Sequence, residues 1–327
     1  MRRWVNEVFK QAPPAKCIFR VDAGNRPGLA FGHLSRCMIF ANILQELYST
    51  ECFFMMKDIP EGVTHAEKFR CSVFRLPEHI SSDMETNKID DLSQRIKPDC
   101  LILDLPYRNI DPAVFSLLKR KGVQTIFIDD FRFFNPGADI VFNSSILARE
   151  KFSEQEKGAL FLGPDYFIFD DAMIGQTTPF LRHKTNIVIS FGGADPTRLT
   201  RDAVQFLAGK NHRENRVFHI VLGPGYAETT TIKNIVKNRP KTFKIIENPD
   251  NIIPYFMAAD FVICAGGRTM YELYYLSKPF LPIATSDVEA EAVQAFIKNG
   301  LVETGLEKWD VTKFELMFNQ AKLRHDL

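Results

Sequence analysis

Short runs of apolar residues alternate along the chain with segments whose apolar residues recur at helical spacing. The runs are rich in β-branched and aromatic residues, which is typical of strands buried on both faces of a parallel sheet. They lie at Cys17–Val21, Cys52–Met56, Cys100–Leu103, Thr125–Ile128, Ile140–Phe142, Asn186–Ser190, Phe218–Leu222, Phe243–Ile246 and Phe261–Cys264. The spacing predicts helices over His33–Leu47, Ala113–Arg120, Arg198–Leu207, Thr229–Val236 and Thr269–Leu276. This alternation predicts an α/β, doubly wound chain.

The strands and helices fall into two series, separated by a stretch without clear periodicity. This stretch, Asp170–Lys184, contains glycine, threonine and Pro179, as linkers between domains often do. We therefore predict a first domain over residues 1–172, a linker over 173–184 and a second domain over 185–327. Two doubly wound domains flanking a cleft would place a ligand at the carboxyl ends of both sheets.

The composition narrows the class of protein. The 327 residues include 41 Lys and Arg against 40 Asp and Glu, a balance that argues against a protein built to coat nucleic acid. No apolar stretch approaches the ~18 residues of a membrane span, and Asn6, Glu7 and Lys10 interrupt any signal-peptide core, so a cytoplasmic enzyme is expected. The six cysteines are scattered and expected to be reduced, and no Cys/His cluster has metal-ligand spacing.

The first of three glycine-containing loops leads from a strand to Gly32, His33 and Arg36. Glycine lets backbone N–H groups approach an anion, and the N-terminus of the following helix favours negative charge. At that positive end His33 is expected to be a neutral imidazole, which can act as a general base. Asp22 is close enough in sequence to orient His33 or to bind a substrate hydroxyl, and Arg36 lies on nearly the same helical face. The alternative is an ordinary turn with a capping histidine and a surface arginine.

The second loop contains Gly192 and Gly193. Paired glycines after a buried strand usually mean tight backbone approach to a ligand or a neighbour. Asp195 is predicted to cap the next helix, with Pro196 at its first position. Gly223 lies in another strand-end loop at the same predicted edge. A well-made turn is the alternative for this region.

The third loop carries the strongest signal, because the last of the apolar runs meets Gly266 and Gly267 and a helix follows. The amides of Gly267, Arg268 and Thr269 could hold a diphosphate. Glu272 lies a turn further on, where a carboxylate can accept hydrogen bonds from two vicinal hydroxyls, as on a ribose. The alternative for Glu272 is a capping or helix-dipole interaction.

Carboxylates also end two other predicted strands. Asp104 closes one of them, and Asp129 and Asp130 close the next along the chain. Side chains at the carboxyl edge of a parallel sheet are candidates for a ligand site, and helix N-caps explain them equally well. Their role stays open at this point.

These segments, in this order, resemble the PseG-type UDP-sugar hydrolases of the pseudaminic acid pathway and their relatives among spore-coat polysaccharide proteins. The resemblance covers most of the chain. It rests on RVDAG…FGHLSRC, LILDLPY, TIFIDDFRFFNPGADIVFNSS, LFLGPDYFIF, NIVISFGGADP and NPDNIIPYFMAADFVICAGGRTMYEL. The combination of FGH…RC, GPDYFIF and SFGGADP is its most specific part.

The resemblance implies a GT-B-type architecture of two Rossmann-like domains, with UDP against the C-terminal domain and the sugar facing the N-terminal domain. It implies cleavage of UDP from UDP-2,4-diacetamido-2,4,6-trideoxy-β-L-altropyranose, or a related UDP-amino sugar, by water attack at the anomeric carbon, without metal or cofactor. His33 matches the family's catalytic histidine, the general base for that water. The last helix is expected to cross back to the first domain, as GT-B chains often do.

The same match implies the remaining site residues. Asp22 joins His33 as a catalytic residue, and Glu272 matches the ligand of the uridine ribose. Substrate contacts are expected at Gly32, Arg36, Tyr107, Gly192, Gly193, Gly223, Ile252, Gly266, Gly267, Arg268 and Thr269. The expected partners are a UDP-sugar and the UDP product, with no nucleic acid and no membrane, and the sequence leaves a homo-oligomer open.

The chain departs from the family pattern at three places. In the first loop Ala30 replaces the first glycine of Gly-x-Gly-His, and the bulky Phe31 is expected to narrow or reshape the sugar site. Arg268 replaces a small residue and is expected to add a phosphate contact, and Glu289 stands where relatives carry glutamine. Two rival functions stay open, a UDP-sugar-dependent glycosyltransferase and a catalytically silent nucleotide-sugar-binding module.

Overall fold

The structure is a computed structural model of the chain. It describes residues 2–9, 11–24, 26, 29, 31–67, 72–105, 111–130, 133–169, 180, 184–212 and 215–324. The chain divides into two compact units, Met1–Asp170 and Asp171–Leu327. Each unit is built on one parallel sheet with helices on both faces.

The first unit has strands β1 (Lys16–Val21), β2 (Glu51–Lys57), β3 (Ser72–Leu76), β4 (Cys100–Asp104), β5 (Gln124–Ile128), β6 (Ile140–Asn143) and β7 (Ala159–Leu162). Its helices are α1 (Arg2–Phe9), α2 (Gly32–Tyr48), α3 (Pro60–Glu67), α4 (Ser82–Ile96), α5 (Ala113–Arg120) and α6 (Ala148–Lys151). In the described part of this unit the strands form a seven-stranded sheet in the order β3-β2-β1-β4-β5-β6-β7. The strand order therefore reverses between β1 and β4, the place where ligands bind in doubly wound sheets.

Burial on both faces explains the apolar runs of the central strands. Phe19 of β1 packs in the core layer that contains Leu34 of α2. Ile18, the next residue back along the strand, belongs to the opposite layer with Phe115 of α5. Successive strand residues point to opposite faces, so both must be apolar when helices cover both sides.

The second unit repeats this plan with fewer strands. These are β8 (Thr185–Ser190), β9 (Arg216–Leu222), β10 (Phe243–Glu247), β11 (Phe261–Ala265) and β12 (Phe280–Ile283), and the described part forms a five-stranded sheet in the order β10-β9-β8-β11-β12. The helices are α7 (Leu199–Ala208), α8 (Thr229–Val236), α9 (Ile253–Ala258), α10 (Arg268–Tyr275), α11 (Asp287–Lys298) and α12 (Val311–Arg324). Here the strand order reverses between β8 and β11. Phe314 and Phe318 of α12 lie in the core of this unit.

Every predicted strand and helix is present, which confirms the α/β, doubly wound prediction. Most of the predicted linker lies outside the described residues. Phe180, one of its described residues, stacks on the imidazole of His219 with ring centroids 3.7 Å apart. None of the helices in the described ranges has the length and apolar character needed to cross a membrane.

Candidate functional site

His33 and Asp104 meet at the point in the first sheet where the strand order reverses. His33 is the second residue of α2, and Asp104 ends β4. The His33 Nδ1 atom lies 2.6 Å from Asp104 Oδ1, with the imidazole 14% exposed and the carboxylate fully buried. An ionised carboxylate can only accept hydrogen bonds, so Nδ1 carries the ring proton and Nε2 is the nitrogen with the lone pair that can accept a proton. This arrangement suits a general base.

The charge of Asp104 is fixed by its neighbours. Burial alone would raise the pKa of Asp104, but the nearby charges of Arg36 and His33 and their hydrogen bonds outweigh it and hold this pKa well below its usual range. Arg36 binds the carboxylate with two nitrogens, Nε to Oδ2 and Nη2 to Oδ1, the latter at 2.6 Å. Its third nitrogen, Nη1, contacts Asp130. The alternative of a surface arginine is therefore wrong, because Arg36 is buried.

Asp130 is anchored in turn by Ser144. One carboxylate oxygen of Asp130 accepts hydrogen bonds from the Ser144 amide at 2.9 Å and from its hydroxyl at 2.7 Å. The helix that follows β4 begins at Ala113, where Asp111 accepts the first amide. Asp104 and Asp130 are thus held by Arg36. The first amide of α5 is capped by Asp111 and not by Asp104.

Asp22 does not orient His33, so that part of its prediction is wrong, while the alternative contact with a substrate hydroxyl stays a prediction. Its carboxylate binds Arg20 at 2.8 Å and accepts the amide of Lys57 at 2.6 Å. Arg20 is fully buried and also binds Glu85 of α4 at 2.7 Å. Asp22 therefore ties the end of β1 to β2 and, through Arg20, to α4.

The structure describes Gly32 and Phe31 of the first loop but not Ala30. Gly32 begins α2, and its amide has no acceptor among the residues that the structure describes. Phe31 packs edge-to-face on His65 inside the core, with ring centroids 5.6 Å apart and 6% exposure, and its effect on a sugar site stays a prediction. Ala30 and Tyr107 lie outside the described residues.

In the second unit the third loop follows β11, again beside the point where the strand order reverses. Within the described part of the chain, the amides of Gly267 and Thr269 have no acceptor. The amide of Gly266 donates to the Ile283 carbonyl at 3.0 Å, so it is not among the amides left for a phosphate, and the substrate contact expected at Gly266 stays a prediction. A Cβ at Gly266 would lie 2.7 Å from Val293 Cγ2, which makes this glycine a packing requirement.

Arg268 and Glu272 bind each other. Arg268 Nε lies 3.0 Å from Glu272 Oε1, and the two side chains are 21% and 13% exposed. Burial raises the pKa of Glu272, and the charge of Arg268 offsets part of that rise. The predicted phosphate ligand and the predicted ribose ligand are thus partners in the structure.

Glu289 lies directly over the same loop. Its Oε1 would be 2.6 Å from a Cβ placed on Gly267, while Oε2 accepts the amide and the hydroxyl of Thr285, both at 2.8 Å. Among the described residues it has no cationic partner, and burial raises its pKa. A carboxyl group therefore stands beside the free amides at the start of α10.

The second loop is used mainly for backbone packing. Gly225 donates its amide to the Gly193 carbonyl at 2.8 Å, and a Cβ on Gly223 would lie 2.5 Å from Gly193 Cα. Gly192 adopts a positive φ of 86°, which favours glycine. Gly193 and Gly223 therefore allow the backbones of two neighbouring loops to approach closely, which is the neighbour contact rather than the ligand contact that paired glycines can indicate.

Two further predicted residues stand at helix starts. Asp195 accepts the amides of Leu199 and Thr200 at 3.0 and 2.7 Å, so its carboxylate caps the start of α7 as expected. The N-cap residue, however, is Arg198 and α7 begins at Leu199, so the predicted positions of Asp195 as N-cap residue and Pro196 as first helical residue are wrong. Ile252 precedes α9 and is half-buried. Among the described residues no group of three or more His, Cys, Asp or Glu side chains could hold a metal ion.

No protein-family model matches the chain. It is 27% identical over 285 residues to an uncharacterized protein of Methanocaldococcus jannaschii, a match that covers 83% of this chain and 56% of that protein. It is 24% identical over 160 residues to the spore coat polysaccharide biosynthesis protein SpsG of Bacillus subtilis, covering 46% of this chain and 45% of that protein. The chain spans about half the length of the curated relatives it matches.

Solved structures share the fold at low sequence identity. MurG of Acinetobacter baumannii superposes with a TM-score of 0.63 at 11% identity, covering 94% of this chain and 90% of that one. The UDP-GlcNAc 2-epimerase of Neisseria meningitidis, solved with UDP-GlcNAc bound, gives 0.59 at 16% identity, covering 93% and 90%. The chain therefore has the GT-B-like α/β fold.

Proposed function

We propose that the chain is a nucleotide-sugar hydrolase that cleaves UDP from a UDP-amino sugar by water attack at the anomeric carbon. The observation that carries this proposal is the His33–Asp104 pair at the reversal point of the first sheet. The resemblance to SpsG and to a fold relative with UDP-GlcNAc bound supports a UDP-sugar ligand. The PseG-type motifs favour UDP-2,4-diacetamido-2,4,6-trideoxy-β-L-altropyranose or a close analogue, in surface-glycan biosynthesis.

In the proposed reaction His33 accepts a proton from the attacking water. The water oxygen bonds to the anomeric carbon while the bond from that carbon to the diphosphate oxygen breaks, and the electron pair leaves on UDP. The proton moves to His33 Nε2, and the resulting imidazolium is stabilised by the Asp104 carboxylate at 2.6 Å. A positioned general base contributes roughly 10²–10⁴-fold to the rate.

The second unit supplies the nucleotide contacts in this proposal. The free amides of Gly267 and Thr269 stand at the N-terminus of α10, where backbone donors and the helix dipole favour an anion. A nucleoside diphosphate carries its negative charge away as a stable leaving group, so no strong general acid is required. Glu272 is proposed as the ribose ligand, with residues 1–172 as the sugar domain and 185–327 as the UDP domain.

The test is incubation of the protein with a panel of UDP-sugars and no acceptor. We expect rapid UDP release, and NMR should show the freed sugar first in the inverted anomeric form, because water replaces UDP by direct attack. His33→Ala should keep its UDP affinity and lose at least 100-fold in turnover. His79→Ala is the matched control, since His79 is an exposed histidine of the same unit.

Three outcomes would overturn the proposal. UDP release that requires an added acceptor would show a glycosyltransferase. UDP binding without turnover of any sugar would show a silent binding module. Loss of UDP affinity together with turnover in His33→Ala would make His33 a structural residue.

A further inference from the structure

The Arg36 side chain sits between two strand-end carboxylates in the first unit. Arg36 lies one turn after His33 on α2, and its side chain is 6% exposed. Nε and Nη2 bind the two oxygens of Asp104, and Nη1 binds Asp130. Each guanidinium nitrogen therefore has a carboxylate partner within the protein.

This arrangement leaves little of the guanidinium for a ligand phosphate. In the described part of the chain, Arg36 is the one permanently charged cation bound to Asp104 and to Asp130. The other groups that face the pair are His33 and Cys37 of α2 and Ser144 after β6. Without the guanidinium, the buried carboxylate of Asp104 and the half-buried carboxylate of Asp130 would face each other with a single imidazole to offset their charges.

We propose that Arg36 is a positioning residue for His33, which holds Asp104 ionised and in one orientation so that His33 presents Nε2 to the attacking water. The proposal rests on the proposed function, because it assigns Arg36 a role in the same reaction. It replaces the substrate contact that the sequence predicts for Arg36. Arg36 Nη2 and His33 Nδ1 both contact the same oxygen of Asp104, Oδ1, at 2.6 Å. These two nitrogens lie 3.2 Å apart, so the guanidinium and the imidazole sit side by side on that oxygen.

The pKa directions agree with this geometry. Burial would raise the pKa values of Asp104 and Asp130, and the charge of Arg36 is the first cause that lowers both. Removing that charge lets one of the carboxyls hold a proton at higher pH. A protonated Asp104 would accept the hydrogen bond from His33 Nδ1–H poorly. As the pH is lowered, the variant should therefore lose activity at a higher pH than the native enzyme does.

The test compares Arg36→Gln and Arg36→Lys for kcat, KM, UDP affinity and the pH profile of kcat/KM. For Arg36→Gln we expect kcat to fall at least 100-fold, UDP affinity to stay within threefold, and the acidic limb to move up by at least one pH unit. Lysine keeps the charge but lacks the fork that reaches both carboxylates, so Arg36→Lys should recover part of kcat. The control is Arg75→Gln, because Arg75 also binds two carboxylates, Asp58 and Glu67, at a half-exposed site.

A tenfold loss of UDP affinity at unchanged kcat would show that Arg36 is a phosphate ligand and would overturn the proposal. An unmoved pH profile would also overturn it, since a purely structural role does not change protonation. If Arg36→Gln fails to fold, the double variant Arg36→Gln/Asp130→Asn, which leaves the net charge of the cluster unchanged, takes its place.

Nitrogen NMR of the histidine rings separates this proposal from the proposed function. The native protein should show His33 with its proton on Nδ1, and Arg36→Gln should show a mixture of tautomers even if no UDP-sugar is cleaved. Absence of turnover in the native protein would refute the hydrolase alone. An unchanged tautomer in the variant would refute the role of Arg36 alone.

Discussion

The backbone contact between two loops of the second unit predicts that one methyl group at position 223 destabilises this unit. In Gly223→Ala the new Cβ would lie 2.5 Å from both Cα and the carbonyl oxygen of Gly193, and 2.7 Å from the Gly192 oxygen. The loops must separate by about 1 Å, the difference between 2.5 Å and an ordinary contact of 3.4 Å. That movement also strains the hydrogen bond from Gly225 to Gly193.

Overpacking of this kind costs about 1–3 kcal/mol. For a unit of this size, a loss of roughly 2 kcal/mol lowers Tm by about 4–8 °C. Urea denaturation followed by circular dichroism gives the free energy of unfolding, and a thermal scan gives Tm. Gly209→Ala is the matched control, because its Cβ would lie 3.4 Å from the nearest carbonyl oxygen, and its Tm should be unchanged or slightly higher.

Two results would refute this reasoning. If the Tm of Gly223→Ala stays within 1 °C of the native value, the loops are not in backbone contact. If UDP affinity falls while the stability is unchanged, Gly223 contacts the ligand rather than its neighbouring loop.

Three further predictions concern charged or titratable groups. Asp104→Asn should lower kcat by roughly 10²-fold or more at unchanged UDP affinity, because an amide does not fix the Nδ1–H tautomer; steady-state kinetics and calorimetry check this. Glu289→Gln should tighten UDP binding more at pH 8 than at pH 5.5, since burial raises the pKa of Glu289 and the charged form repels a diphosphate; equal tightening at both pH values contradicts it. Burial, and to a smaller extent the charge of Lys244, lowers the pKa of His219 to about 4. Because the unfolded state binds a proton at His219 at higher pH than the folded state does, the free energy of unfolding should fall as the pH is lowered from 6.5 towards 4. Urea denaturation should show this loss of stability, roughly 3 kcal/mol, and a smaller loss in His219→Gln.

The central strands could be predicted from the sequence because helices cover both their faces. Three strands escaped that signal for physical reasons. β3 lies at one edge of the first sheet and is largely half-exposed, and Ser72 and Arg75 break its apolar run. β7 lies at the other edge and is also largely half-exposed; its four residues, Ala159–Leu162, are all apolar but form a short run. β12 contains Pro282, a residue that argues against a strand.

The candidate site was predicted only in part. His33 could be found because it follows a strand-end glycine, but its partner Asp104 is 71 residues away, and their contact depends on β1 and β4 being neighbours. Asp22 is nearer in sequence, yet it lies two residues after Arg20 and therefore on the same face of the strand. That spacing was an available signal that Asp22 has an arginine partner.

A second signal was available for Arg36. It lies in α2 among residues predicted to face the core, next to Cys37, and a buried guanidinium requires a carboxylate partner. Carboxylates end two strands of the same sheet, at Asp104 and Asp130. Which of them it would bind could not be decided without the strand order.

The buried charges of Arg20 and Asp22, together with the half-buried Glu85 that Arg20 binds, restrict how this sequence can diverge. Breaking such a pair by replacing one partner leaves an uncompensated charge and costs about 3–5 kcal/mol, against a total stability of about 5–15 kcal/mol for a typical domain. Arg20 and Asp22 are completely enclosed, so neither can turn towards water to escape that penalty. Across descendants of a common ancestor these three positions should therefore covary, changing as a set or staying fixed.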